Sequence, residues 1–290
     1  MARASAVLSR PNLSELERSI LYLVAARKVA LTSHIYELNQ RSEHPIGLRF
    51  VQRVLKRLEA FGLVRSRKYV VSHLTYGTSS KLWRVTKKGL KIAAEQDSRL
   101  SFRLLFWNDK IEQSTIHHSI AVNDTELQVR KLIPSATVEP EPLCWRKYKL
   151  YAYAKEEWLK PDLFAKMGDT DYYIELDRGT ERPVRIVEKC KTYVSYFLTE
   201  QRLGRLKSPY KVIWLVPDAK RKNSLDRHIK KHLGGNAWVF QIVLQPLFTD
   251  FLTAKIQNLL DFSGVPSDEC KDPENLTVTK GAKNGETNEK

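Results

Sequence analysis

Apolar side chains recur at helical spacing through the first hundred residues, then at strand spacing or in unbroken runs further on. Ile20, Leu21, Leu23 and Val24 predict a helix over 15–27, with Asn12 or Ser14 as its cap. Thr32-Ser33 opens a second, short helix through Ile35 and Leu38. A third helix is predicted over 47–61, with Phe50, Val51, Val54, Leu55 and Leu58 on its apolar side and Gly62 ending it. Residues 63–68 and 81–85 read as two strands of a wing, joined by a polar turn around 77–80, and a last helix follows near 90–94. A linker near 96–98 leads to a helix that contains His117-His118 and continues to about 132, where Pro134 and the Pro-rich stretch 138–142 interrupt. Strands over 160–166 and 171–177 come next, then a helix over 182–199. The run 210–217 is almost wholly apolar, as a strand buried on both faces should be. A basic helix over 224–233 and a strand over 237–243 complete the pattern, and the polar tail from Gly264 is expected to be disordered.

This order predicts an α/β (α+β) protein with a flexible start at 1–12, one domain over 13–96, a second over 100–262 around a central mixed sheet, and a disordered tail over 264–290. The 290 residues are 42% hydrophobic, enough for two packed cores. No apolar run reaches the roughly 18 residues of a membrane helix, and the first residues lack a signal-peptide core. A soluble, cytoplasmic protein without a membrane partner is expected. Cys144, Cys190 and Cys270 have no short spacing and read as reduced structural thiols.

The formal net charge is +16, and it is uneven: residues 1–100 hold 19 Lys and Arg against 7 Asp and Glu, the remainder 30 against 26. That asymmetry points to a polyanion partner for the first domain. Its charges are also organised. Arg49, Arg53, Lys56 and Arg57 share the polar side of the third helix, and Arg65, Arg67 and Lys68 lie on the first wing strand. Three helices and a β-wing resemble a winged helix-turn-helix, in which the third helix enters the major groove. Its Arg and Lys then reach guanine edges or phosphates. A solvated basic face or a protein-interaction module would account for the charge alone, but the pattern favours DNA.

Chemistry is concentrated at Pro161-Asp162 and Glu175-Leu176-Asp177. Paired as a hairpin about Gly168-Asp169, the strands set Lys160 opposite Asp177, Asp162 opposite Glu175, Phe164 opposite Tyr173 and Lys166 opposite Asp171. Two carboxylates held roughly 5 Å apart repel unless one keeps its proton or a cation lies between them. A divalent metal, Mg²⁺ or Mn²⁺, suits such oxygens. Asp177 falls on the same strand face as Glu175, as a third metal ligand or to orient a lysine.

The succession of helix, Asp strand, Glu strand, helix and strand is similar to the PD-(D/E)XK restriction-endonuclease-like fold. More narrowly, the chain resembles the replication-relaxation family over about 13–245. The resemblance rests on the run from His118 to Val122-Asn123-Asp124, on Pro161-Asp162, on Glu175 to Glu181 (Glu-Leu-Asp-Arg-Gly-Thr-Glu), and on Lys189 with Tyr193. It implies plasmid or integrative-element biology. The expected activity is that of a metal-dependent, site-specific nickase (a relaxase, acting as an endonuclease and hydrolase) that opens one strand at a plasmid origin of transfer or replication and so initiates mobilisation and conjugation. Other mobilisation or coupling proteins would be further partners. Asp162, Glu175 and Asp177 are the expected metal ligands, and these with Lys189 the expected catalytic set; His118, Arg178 and Tyr193 support them. The chain departs from the nuclease pattern at the lysine two residues after the Glu, where Asp177 stands; Lys189 or Lys160 could replace it. That departure keeps a second reading open, an accessory DNA-binding factor with an inert nuclease-like domain. Adjacent His117 and His118 point about 100° apart on a helix and do not make a two-histidine metal site; Tyr193 or Tyr196 as covalent nucleophile is a minor alternative.

Overall fold

The computed structural model describes residues 11–43, 45–69, 80–108 and 110–261. The expected flexible start (residues 1–10 of it), the tip of the wing at 77–79, Cys270 and the tail from Gly264 lie outside these residues.

Helix α1 (Glu15–Ala25) is started by a reciprocal capping box: the Ser14 hydroxyl accepts from the Glu17 amide at 3.3 Å, and the Glu17 carboxylate accepts from the Ser14 amide at 2.9 Å. Two residues, β1 (Ala30–Leu31), precede α2 (Thr32–Asn39) and α3 (Leu48–Ala60). Strands β2 (Val64–Tyr69) and β3 (Ser80–Val85) form an antiparallel sheet in the order β1-β3-β2. Helix α4 (Lys87–Ala93) closes the unit. Its Gly89 is dictated by contact, because a Cβ there would meet the Leu63 carbonyl oxygen at 2.1 Å. Val51, Val54, Leu55 and Leu58 of α3 are buried as expected, but Phe50 is turned outward at 42% exposure, beneath the Arg53 guanidinium. The stretch read as a linker is instead pinned: Asp97 accepts from Arg99, which also pairs with Glu139 at 2.6 Å. The short helix α5 (Phe102–Leu105) follows.

The second unit begins with α6 (Gln113–Leu132). The Pro-rich stretch, rather than merely interrupting, supplies β4 (Thr137–Pro140) at a sheet edge, where proline's missing N–H breaks no ladder. A two-stranded ribbon, β5 (Arg146–Tyr148) with β6 (Glu157–Leu159), was not anticipated. Then come the hairpin β7 (Leu163–Met167) and β8 (Thr170–Leu176), α7 (Pro183–Arg202), β9 (Tyr210–Val216), α8 (Ala219–Leu233), β10 (Phe240–Leu244) and α9 (Phe248–Asp261). The last strand starts three residues later than expected because 234–239 wind into a 3₁₀ turn, and α9 was not foreseen. The sheet order is β10-β9-β8-β7-β4, with β8, β9 and β10 mutually parallel and β7 antiparallel to both its neighbours.

Alternation sorts β9 onto two cores. Val212, Trp214 and Val216 face an aromatic layer with Tyr193, Tyr196 and Phe197 of α7; Ile213 and Leu215 face α6 and α9 through Val129, Phe248 and Leu252. The hairpin register is as read from the sequence for Phe164 with Tyr173 and Lys166 with Asp171, and Gly168 takes the positive φ (59°) of its turn. The ladder ends, however, at Leu163 with Ile174. Asp162 and Lys160 therefore lie before the strand, and the expected pairs of Asp162 with Glu175 and of Lys160 with Asp177 do not form.

Helix α6 belongs to both units. Its Glu126, fully buried, is bonded by Arg27 at 2.6 and 3.0 Å and by Arg130 at 2.8 Å. One turn earlier, Asn123 donates to the Val29 carbonyl at 2.8 Å, and Asp124 meets His34 Nε2 at 3.0 Å. His34 Nδ1 accepts from the Leu31 amide at 3.3 Å, so Nε2 carries the proton that Asp124 receives.

Candidate functional site

Where β7 and β8 leave the sheet, the chain opens a cleft of about 260 Å³ between the N-terminal half of α6, the end of β8 and α7. Leaving the ladder frees the Asp162 carboxylate. It accepts from the Leu176 amide at 2.9 Å and meets His118 Nε2 at 3.0 Å. Glu175, still in β8, is fully buried; Lys189 donates to it at 2.5 Å and the Tyr193 hydroxyl at 2.5 Å. Lys189 and Tyr193 are one turn apart on α7, so one helix face delivers both. The Asp–Glu pair is thus assembled, but by the strand end and two helices rather than by cross-strand opposition.

The same surroundings drive the two acids apart. Burial works against the Asp162 charge, but the Lys189 ammonium, His118 and the Leu176 amide outweigh it and hold its carboxyl below the usual range. Burial dominates at Glu175, with the Asp162 charge adding to it; against the opposing Lys189, its pKa is pushed up to about 8. Lys189 itself is held above its ordinary value: burial opposes, and the Glu175 and Asp162 carboxylates prevail. For His118, burial is likewise outweighed by the bond and charge of Asp162, and its pKa is raised. Two carboxyl groups with opposed shifts on one cleft are the arrangement that separates acid from base roles.

Asp177 lines the cleft, but its oxygens are engaged elsewhere, by Arg221 of α8 and by the Gly179 amide at 2.9 Å. Its partners are thus an arginine and a loop amide rather than a lysine. Among the described residues no group of three or more His, Cys, Asp or Glu is placed to hold a metal ion. Lys160, the other candidate lysine, lies with its ammonium 3.7 Å from the centre of the Phe106 ring. Arg178 donates to the Ser114 carbonyl at 3.1 Å and ties the loop after β8 to α6. His117 turns away from His118 to Gln113, at 2.8 Å. Tyr193 and Tyr196 are buried in the aromatic layer, fully and to all but 7%, which speaks against either as a covalent nucleophile. Cys144 and Cys190 are free and buried.

Among the lining residues, Lys28, from the turn after α1, and Trp214 were missed in the sequence, as was Arg221, the partner of Asp177. Arg221 carried a faint signal, in the basic run after Asp218, which caps α8. Lys28 carried none, since it reaches the cleft only through the packing of the first unit on α6.

The expected nucleic-acid face belongs to α3 and β2 of the first unit. Arg49, Arg53, Lys56 and Arg57 are exposed along α3, and Arg65, Arg67 and Lys68 along β2. They do not form one uniform surface. Arg57 pairs with Glu17 at 2.8 Å, Arg53 covers Phe50, and Arg67 donates to Gln113 of α6 at 3.1 Å. No described helix is long and apolar enough to cross a membrane.

Comparison with known proteins gives one family. The family model described as replication-relaxation matches residues 21–207, from α1 to the loop before β9. Among solved structures, the zinc-responsive MarR family member ZitR of Lactococcus lactis is 19% identical over 44% of this chain and 78% of that one, with a TM-score of 0.25. A PadR family transcriptional regulator from Eggerthella lenta DSM 2243 is 23% identical over 32% of this chain and 80% of that one, with a TM-score of 0.24. No curated protein matches.

Proposed function

We infer the function from kinship and from the cleft together: this chain belongs to the replication-relaxation family, and we propose that it is a metal-dependent, site-specific DNA nickase acting at a plasmid origin of transfer or replication. The family points to plasmid replication or mobilisation. The observation that carries the nuclease reading is the pairing of Asp162 and Glu175 on one cleft, with Lys189 at 2.5 Å from Glu175. The hairpin of Asp and Glu strands, the following helix and the parallel strand β9 support a PD-(D/E)XK-like second domain. In that reading the lysine has moved from the strand, where Asp177 stands, to α7.

The residues suit a hard divalent cation: two carboxylates on one wall, with room in front of them. Asp162 and Glu175 would hold Mg²⁺ or Mn²⁺, which would polarise the scissile phosphate and lower the pKa of an attacking water. The chain's own groups do the rest. Lys189 places a positive charge where negative charge develops on the phosphate. His118 fixes the Asp162 carboxylate through one oxygen while the Leu176 amide fixes the other. The exposed basic side chains of α3 and β2 would locate the site on duplex DNA.

The test is relaxation of a supercoiled plasmid carrying the element's own origin, by wild type and Glu175→Ala, with Mg²⁺, Mn²⁺ or EDTA. Metal-dependent conversion to open circle by wild type alone is expected. Retained origin binding without conversion by either protein would instead favour the accessory-factor reading, which the displacement of the strand lysine by Asp177 keeps in view.

A further inference from the structure

A second cleft, of about 330 Å³, adjoins the carboxylate cleft and shares Lys28 and Thr115 with it. Its walls come from both units, so it exists only because α6 holds them together. Four cations line it, Lys28, Arg84, Arg103 and Lys110, against the two carboxylates Glu112 and Glu141. Arg103 is held by the carbonyl oxygens of Ala25 and Arg27, which accept its hydrogen bonds without cancelling its charge. Burial lowers its pKa to about 10, with Arg84 adding to the effect and Glu141 opposing it, so it stays charged at neutral pH.

The aromatic content is as telling. Phe106 lines this cleft with half its surface exposed. Trp145 and Trp158 meet its ring edge to face, at 5.5 and 6.2 Å, and the Lys160 ammonium covers it at 3.7 Å. The ring is thus braced from behind and open to the cleft. An open aromatic face and a surplus of positive charge together describe a seat for an unpaired nucleotide. Bases within a duplex are already stacked and cannot offer a face to Phe106.

We propose that this cleft holds a single-stranded segment of the DNA next to the cutting site, with one base stacked on Phe106 and the phosphates running past Lys28 and Arg103 towards Asp162 and Glu175. The proposal rests on the reading of the chain as a DNA-acting protein and adds what the cleft itself recognises.

The experiment is fluorescence anisotropy of the full chain with three labelled probes: an oligothymidylate of roughly 12 nucleotides, an abasic strand of equal length, and a blunt duplex. Phe106→Ala should weaken oligothymidylate binding about tenfold, the scale of one stacked base, and Phe106→Trp should restore it. Neither should alter binding of the abasic strand or the duplex. Equal oligothymidylate affinity of Phe106→Ala and wild type overturns the proposal, as does an equal loss with all three probes. A wild type that holds duplex but not oligothymidylate overturns it too, and leaves the nickase reading standing. A wild type that holds oligothymidylate through Phe106 but nicks nothing supports it, and removes the nickase reading.

Discussion

Glu175 keeps a proton that the unfolded chain has already released, and that has a sign. Between its ordinary value of about 4.5 and about 8 the native state binds more protons than the unfolded state, so this group's contribution makes stability fall as pH rises through that window. Glu175→Gln, measured by urea denaturation in EDTA, should flatten that slope. Lys189→Met should carry it on to higher pH, because the carboxylate then loses the cation at 2.5 Å. The loss should be small near pH 5, where Glu175 is protonated. It should grow only as pH rises past about 8, where the wild-type carboxylate ionises beside Lys189 while the variant's, lacking that cation, keeps its proton. A loss independent of pH would show that Lys189 acts by packing and not by charge. Asp177 shows the residue scale from the other side: the same carboxylate that stands at the nuclease lysine position becomes a structural partner of Arg221 once α8 is in place.

Helix α6 works on two sides, and its sequence run divides accordingly. His118 turns to Asp162, while Asn123, Asp124 and Glu126, one to two turns on, turn to the first unit. Glu126 is held below its ordinary value: burial opposes, and Arg27 and Arg130 prevail. Its contribution to stability is present above the ordinary carboxylate range and is lost as pH falls through its lowered native value. Glu126→Gln should cost about 3–5 kcal/mol at neutral pH, because Arg27 stays buried without its charge partner. The difference from wild type should shrink on acidification. Helix α3 carries the other element-scale prediction. Arg53→Ala should weaken duplex binding and lower the slope of log affinity against log salt by about 1. An unchanged affinity would show that this helix does not face the DNA.

At the scale of the molecule, the basic first unit and the carboxylate cleft are joined by buried bonds and not by a flexible tether. The hydrophobic seam of Val29, Leu31, Leu82 and Ile116 lies beside the Arg27–Glu126 pair. We expect one cooperative unfolding transition, coincident by far-ultraviolet circular dichroism and tryptophan fluorescence. Glu126→Gln should separate the two signals, and two transitions already in the wild type would contradict the coupling. In the nickase proposed above, such a junction would fix the spacing between a site read by α3 and a strand placed at Asp162 and Glu175. That spacing is what a single-position nick requires.

The sequence alone determined most of the local structure. Periodicity placed the capped helix α1, the amphipathic α3, the hairpin turn at Gly168 and the doubly buried β9, because each depends on neighbours within a few residues. It also placed Asp162, Glu175, Lys189 and Tyr193 in one site, through spacing and the family pattern. Tertiary structure alone decided how they meet. Asp162 left the ladder to accept from Leu176, Asp177 was taken by Arg221, Lys160 went to the aromatic cluster, and Phe50 turned out to solvent. Lys28 and the second cleft were beyond reach for the same reason. Each depends on groups brought together across tens of residues, where burial and competing charges, and not strand alternation, choose the partner.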